Sequence, residues 1–209
     1  MTAEQQLAAT PAIPAPPRRR SRRDEILEIA VGLFAARGYH GVSMDDIGAA
    51  AGVTGPALYH HFAGKEAMLV AALIPVSDHL LVSGRERLAR HPDDPHGALD
   101  ALVEFHVEFA LDNPAVIAMH LHELDRMPEE PKRKIRRLQR QYVEVWVDVI
   151  NRVHPHLSTD EARVLAHAAF GLMNSTPFIG PEVERTRRAA LLRTSTLAAL
   201  NHTVAPAAG

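Results

Sequence analysis

Thirteen histidines and no cysteine bound the chemistry open to this 209-residue chain. Without a thiol there is no disulfide, no thiolate metal site and no cysteine nucleophile. One imidazole cluster with a carboxylate beside it is His120-Leu121-His122-Glu123, with His106 upstream. It suggests a metal, but residues two apart on a helix point about 200° from each other, so His120 and His122 do not readily share one ion. No metal and no cofactor are expected. A histidine hydrogen-bonded in or beside the core is the plain reading; the sharper one makes His106 or His120 the polar contact of an apolar ligand pocket. No nucleophile motif, phosphate loop or nucleotide fingerprint accompanies them, so an enzyme or carrier using these histidines is the minor alternative.

A second set of residues carries donors of the kind that hold phosphates. Arg18-Arg19-Arg20-Ser21-Arg22-Arg23 follows an Ala/Pro/Gln-rich start that reads as a disordered arm over 1–20. It is neither a signal peptide nor a packed element. Such a charge run is most simply a solvated one, but flexible arms beside DNA-reading domains also use Arg on phosphates and in the minor groove. Lys132-Arg133-Lys134-Ile135-Arg136-Arg137-Leu138-Gln139-Arg140 is the longest basic run. A solvated helix face explains it, and the phosphates of an anionic ligand are the alternative. The formal net charge of −2 does not exclude nucleic acid, because affinity follows local charge at the phosphates.

These donors need elements to position them. Thr54 to Phe62 reads as a short helix, with Thr54 able to cap it and Pro56 in its opening turn, where no backbone donor is needed. A helix about 12 Å long is marginal alone, so packing must hold it. Upstream, Ser43 can cap a helix from Met44 to about Ala51, and Gly52 can end it in the left-handed conformation. Two short helices joined at 51–54 make a helix-turn-helix, whose second helix enters the major groove. Asp24 to Arg37 supplies a third, with Ile26, Ile29, Ala30, Leu33 and Phe34 on one stripe that has only the two short helices to bury against.

From Arg23 to about Leu69 the chain closely resembles the TetR family of bacterial transcriptional regulators. The likeness rests on Phe34, Gly38-Tyr39, the run from Ile47 to Val53, Leu58-Tyr59-His60-His61-Phe62 and Lys65 in order. It implies an all-α, homodimeric, ligand-responsive regulator, most simply a repressor; a co-repressor or activator would have the same fold and opposite logic. Carried over residue by residue, Ser43, Tyr59, His60 and Lys65 match positions that contact the sugar-phosphate backbone. Thr54, Gly55, Pro56 and Ala57 match those that approach base edges, and Arg22 and Arg23 would close the arm onto the duplex. The partner implied is double-stranded, palindromic operator DNA. The recognition helix holds no Arg, Asn or Gln, so discrimination would rest on Thr54, thymine-methyl contacts and DNA shape.

The DNA domain is expected over 21–65 and an effector and dimer domain over 66–203, with a disordered tail at 204–209. Helical spacing runs through Pro75 to about Arg90, then over 95–111, 114–125 and 129–153, with no strand signal. The candidate ligand set is His106, Phe109, Met119, His120, Tyr142, Trp146, Phe170 and Asn174, an apolar lining with a few polar groups. Trp146, the only tryptophan, shares a stripe with Tyr142 and Val149, and plain core packing is its alternative. Some relatives in the family bind an acyl-coenzyme A, so the effector is expected to be a small hydrophobic molecule of that or another lipid class. Ser158 with Glu161 forms a capping box before a helix of small residues. Val183, Thr186, Ala190, Arg193, Leu197 and Leu200 make a seam, which the resemblance assigns to a four-helix bundle across a two-fold axis. No apolar run reaches the roughly 18 residues that span a bilayer, and a soluble cytoplasmic protein without membrane contact is expected.

Overall fold

The computed structural model describes residues 21–201 apart from 123, 125 and 126. The expected arm at 1–20, Glu123 and the tail at 204–209 lie outside the described residues. Every regular element among those described is helical: α1 (Arg22–Arg37), α2 (Met44–Ala51), α3 (Gly55–His61), α4 (Lys65–Arg90), α5 (Pro95–Asp112), α6 (Pro114–His122), α7 (Glu129–Val153), α8 (Thr159–Met173) and α9 (Arg185–Asn201). A short 3-10 turn, Thr176–Phe178, precedes α9.

Three helices start the same way. The hydroxyls of Ser21, Ser43 and Ser158 accept from the backbone N–H three residues on, and the carboxylates of Asp24, Asp46 and Glu161 reach back to the cap. α2 stops at Gly52, which is left-handed at φ 63° and ψ 38°. α1 stops at Gly38, whose φ of 72° comes with ψ of 156°, a region open essentially to glycine alone. Thr54 departs from expectation. It is the backbone cap of α3, but its side chain makes no capping bond. α3 is held instead by Leu58 and Phe62, both buried.

α1 does more than cover the two short helices. Ile26, Ala30 and Phe34 share one core with Ile47 and Leu58, with Met68, Leu69 and Leu73 of α4, and with Met119 of α6 and Ile135 of α7. The stripe on α1 therefore ties the two short helices α2 and α3 to the rest of the chain, and this core runs straight across residue 65. A second core joins Leu99 and Leu102 of α5, Trp146 and Val149 of α7, Ala162 and Ala166 of α8 and Leu200 of α9. α4 spans both. Pro75 lies inside it without ending it. By length and composition alone the helical stretch 55–90 could cross a bilayer, which the hydropathy reading missed. Met68, Leu69, Leu73 and Leu81 are instead buried inside the molecule.

Candidate nucleic-acid interface and ligand cavity

The donors expected on DNA fall into two groups. Thr54, Pro56, Ala57, Tyr59 and His60 are exposed on and before α3, Gly55 is half-buried at its first turn, and Tyr59 is 56% accessible despite its ring. With Leu58 and Phe62 turned inward, the hydroxyls of Thr54 and Tyr59 and the imidazole of His60 form an outward polar face. The other group holds the frame. Arg22 bonds Glu25 at 2.7 Å and donates to the Ala51 carbonyl that ends α2, and Arg23 lies 4.3 Å over the Phe62 ring. Ser43 donates both its backbone N–H and its hydroxyl to Asp46, bonds that hold the Asp46 carboxyl below its usual range. Lys65 gives two protons to the carbonyls of Tyr39, at 2.8 Å, and Val42, at 2.6 Å, with its ammonium 4.4 Å from the Tyr39 ring centre. Lys65 thus clamps the α1–α2 loop to the start of α4.

Further along α4 a cavity of about 190 Å³ opens between α4, α5, α6, α7 and α8. Val76, Ser77 and Leu80 of α4 form one wall; Val116, Ile117 and His120 of α6 form another. His106 and Phe109 of α5, Gln139, Tyr142 and Val143 of α7, and His167, Phe170 and Asn174 at the α8 end complete it. Six of the eight expected ligand residues converge here. Two do not. Met119 is buried in the core beneath the reading head. Trp146 is fully buried behind the lining, with its ring centre 5.1 Å from Phe170 and 6.1 Å from His106. Among the described residues its indole nitrogen has no hydrogen-bond partner.

His106 is the hub of this site. Its ring stacks on Tyr142 at 5.8 Å, its Nδ1 lies 3.2 Å from the Tyr142 hydroxyl, and its Nε2 lies 2.9 Å from Asn174 Oδ1. Burial holds its pKa down at about 4, against a smaller opposing effect of Asn174. Burial also lowers His120, which Gln139 contacts from α7, while His122 faces solvent. Room for the Tyr142 ring comes from Gly84, where a Cβ would stand 2.7 Å from it. Gly84 and Gln139 were not anticipated. Gln139 had a signal, since it lies four residues after Ile135 and three before Tyr142, on the inward stripe of the basic run. Around it Arg133, Lys134, Arg136, Arg137 and Arg140 are exposed, and Lys132 bonds Glu129 at 2.6 Å.

The expected seam divides. Leu200 is buried and Leu197 half-buried against the chain's own core, and Arg193 pairs with Asp100 at 3.1 Å. Val183 and Ala190 are exposed. Val183 shares this exposure with Val164 and Leu172 of α8, Leu191 of α9 and Phe178 between them, with Val164 68% and Phe178 73% accessible.

Family models match two stretches of the chain. One, described as Bacterial regulatory proteins, tetR family, covers residues 26–72; the other, Tetracyclin repressor-like, C-terminal domain, covers 92–178. The HTH-type transcriptional repressor KstR2 of Mycobacterium tuberculosis (strain ATCC 25618 / H37Rv) is 32% identical over 133 residues, which are 63% of this chain and 66% of that protein. The match spans just under two thirds of that relative. Among solved structures, the ketosteroid transcriptional regulator KstR2 of Mycobacterium tuberculosis is similar at a TM-score of 0.77 and 26% identity, over 88% of this chain and 95% of that one. A TetR-family transcriptional regulator from Bordetella parapertussis 12822 gives 0.76 and 27%, over 88% and 98%.

Proposed function

Since the chain belongs to the TetR family of bacterial regulatory proteins, we propose that it is a homodimeric transcriptional repressor, released from palindromic operator DNA by a small hydrophobic effector. In this reading it acts in the cytoplasm and its histidines bind rather than catalyse. The observation that carries it is the continuity of α4. Val76, Ser77 and Leu80 face the cavity, and the same helix begins at Lys65, whose ammonium holds the α1–α2 loop. An occupant that displaces α4 moves the reading head with it. In a two-fold dimer the two recognition helices must sit about one helical turn apart, roughly 34–36 Å, so a small tilt of each α4 breaks the register.

The outward face of Val164, Leu172, Phe178 and Leu191 supports pairing of α8 and α9 with their copies, because an apolar group of this kind on a monomer calls for a partner. The cavity admits the acyl end of an acyl-coenzyme A; its nucleotide would have to lie outside, where the exposed arginines of α7 offer phosphate partners.

The test uses fluorescence anisotropy on a genomic fragment that the purified protein binds. An apolar extract of the source cells should displace wild-type protein but not Val143→Trp, whose indole fills the cavity. Equal displacement of both would place the effector elsewhere.

A further inference from the structure

We propose that the cavity selects an uncharged apolar molecule bearing a carbonyl oxygen, and that the side-chain amide of Asn174 is the donor that recognises it. This rests on the reading of the cavity as the effector site.

Hydrogen-bond accounting gives the orientation. Asn174 Oδ1 can only accept, so the bond to His106 Nε2 is donated by the imidazole, and that nitrogen carries the ring proton. A neutral imidazole has one such proton, so Nδ1 accepts from the Tyr142 hydroxyl. His106 is neutral near pH 7, its pKa lying at about 4. Both of its nitrogens are therefore committed, and the Asn174 amide is locked with its oxygen toward the ring. Its Nδ2, with two protons, meets no acceptor among the described residues, and Asn174 lines the cavity. Of the other polar groups, Ser77 donates to the Leu73 carbonyl at 2.8 Å and Gln139 gives an amide proton to His120 Nε2, so the second ring nitrogen of His120 and the ring of His167 are remaining polar atoms of the lining.

Charge sets the second half of the specificity. Among the described residues no Asp, Glu, Lys or Arg lines the cavity; His106 and His120 are held neutral by burial, and His167 stands on an exposed part of the lining. A carboxylate enclosed here would touch no Lys or Arg of the lining, whereas a ketone, ester or thioester oxygen needs only donors. At about 190 Å³ the space is smaller than the roughly 300–1,000 Å³ of pockets for drug-sized ligands, so the enclosed part is small.

The test titrates the full chain at pH 7.5 with 2-nonanone and with nonanoate, following binding by calorimetry and by Trp146 emission. The ketone should bind at least about tenfold more tightly than the carboxylate. Asn174→Asp keeps the acceptor for His106 and removes the donors; Asn174→Leu removes the donors without adding charge. Each folded variant should lose about tenfold in ketone affinity. Ketone affinity unchanged in either variant overturns the role of Asn174. Nonanoate binding as tightly as the ketone, and blocked by Val143→Trp, overturns the ligand class while leaving the effector site in place. If neither probe binds up to its solubility the carbonyl assignment falls, and if Val143→Trp also leaves displacement by the cell extract unaltered, the effector site falls with it.

Discussion

Lys65 and Tyr59 separate two kinds of residue that side-chain type alone cannot. Both are donors at the edge of the recognition helix, but Tyr59 projects into solvent while Lys65 holds two backbone carbonyls. Tyr59→Phe should weaken binding to specific and random duplex alike. Lys65→Met should lower folding stability by roughly 2 kcal/mol, two charged hydrogen bonds being lost, and change the salt slope of DNA binding by less than about half a unit. A salt titration decides it: a slope reduced by nearly two units, about 0.9 per phosphate in each protomer, would put the ammonium on DNA. That clamp was not legible because its acceptors, like the Ala51 carbonyl held by Arg22, are backbone atoms common to every sequence. His106 carries a pH prediction. An unfolded histidine titrates near 6.5 and this one, folded, at about 4, so its contribution is complete above about pH 6.5 and is lost as pH falls through 4. The difference corresponds to roughly 3 kcal/mol. Urea unfolding of wild type should show most of that loss between pH 7 and 4, and His106→Gln should not; parallel profiles would mean that His106 is not held neutral.

At the scale of elements, local signals were legible wherever they are local in cause. The box of Ser158 and Glu161, the left-handed Gly52 and the bounds of α7 follow from neighbours within a turn. The 3-10 turn at 176–178 was not, because Thr176 is fixed by a bond to the Ala110 carbonyl 66 residues away. Period alone also says that a helix face packs without saying on what. The spacing along α9 reads as one seam between subunits, yet Leu197 and Leu200 serve this chain's own core, while Val183 and Ala190 face outward together with Val164, Leu172 and Leu191. Val164→Glu should therefore give a folded monomer by sedimentation, while Leu197→Glu should lower Tm. A Val164→Glu protein that stays dimeric would move the interface to another surface.

In the whole molecule, α4 is about 39 Å long at 1.5 Å per residue and is shared by both apolar cores. A cavity near its middle and a clamp at its start give one rigid element two contacts to couple. If the occupant lowers operator affinity a hundredfold, the coupling is about 2.7 kcal/mol, and operator must weaken the occupant by the same factor. Trp146 sits one layer behind Phe170 and His106, so its emission should report that reciprocity. The sequence net charge of −2 is no obstacle, since the reading face is small and local. The most direct test is selection of fragments of the source genome by the purified protein. The expected result is a set of two-fold symmetric sites with half-site centres about one helical turn, or a multiple of it, apart, bound at least about a thousandfold more tightly than random duplex and released by Tyr59→Ala with His60→Ala. Binding that is indifferent to sequence, or unaltered in that double variant, would contradict the assignment of α3 as the element that reads DNA.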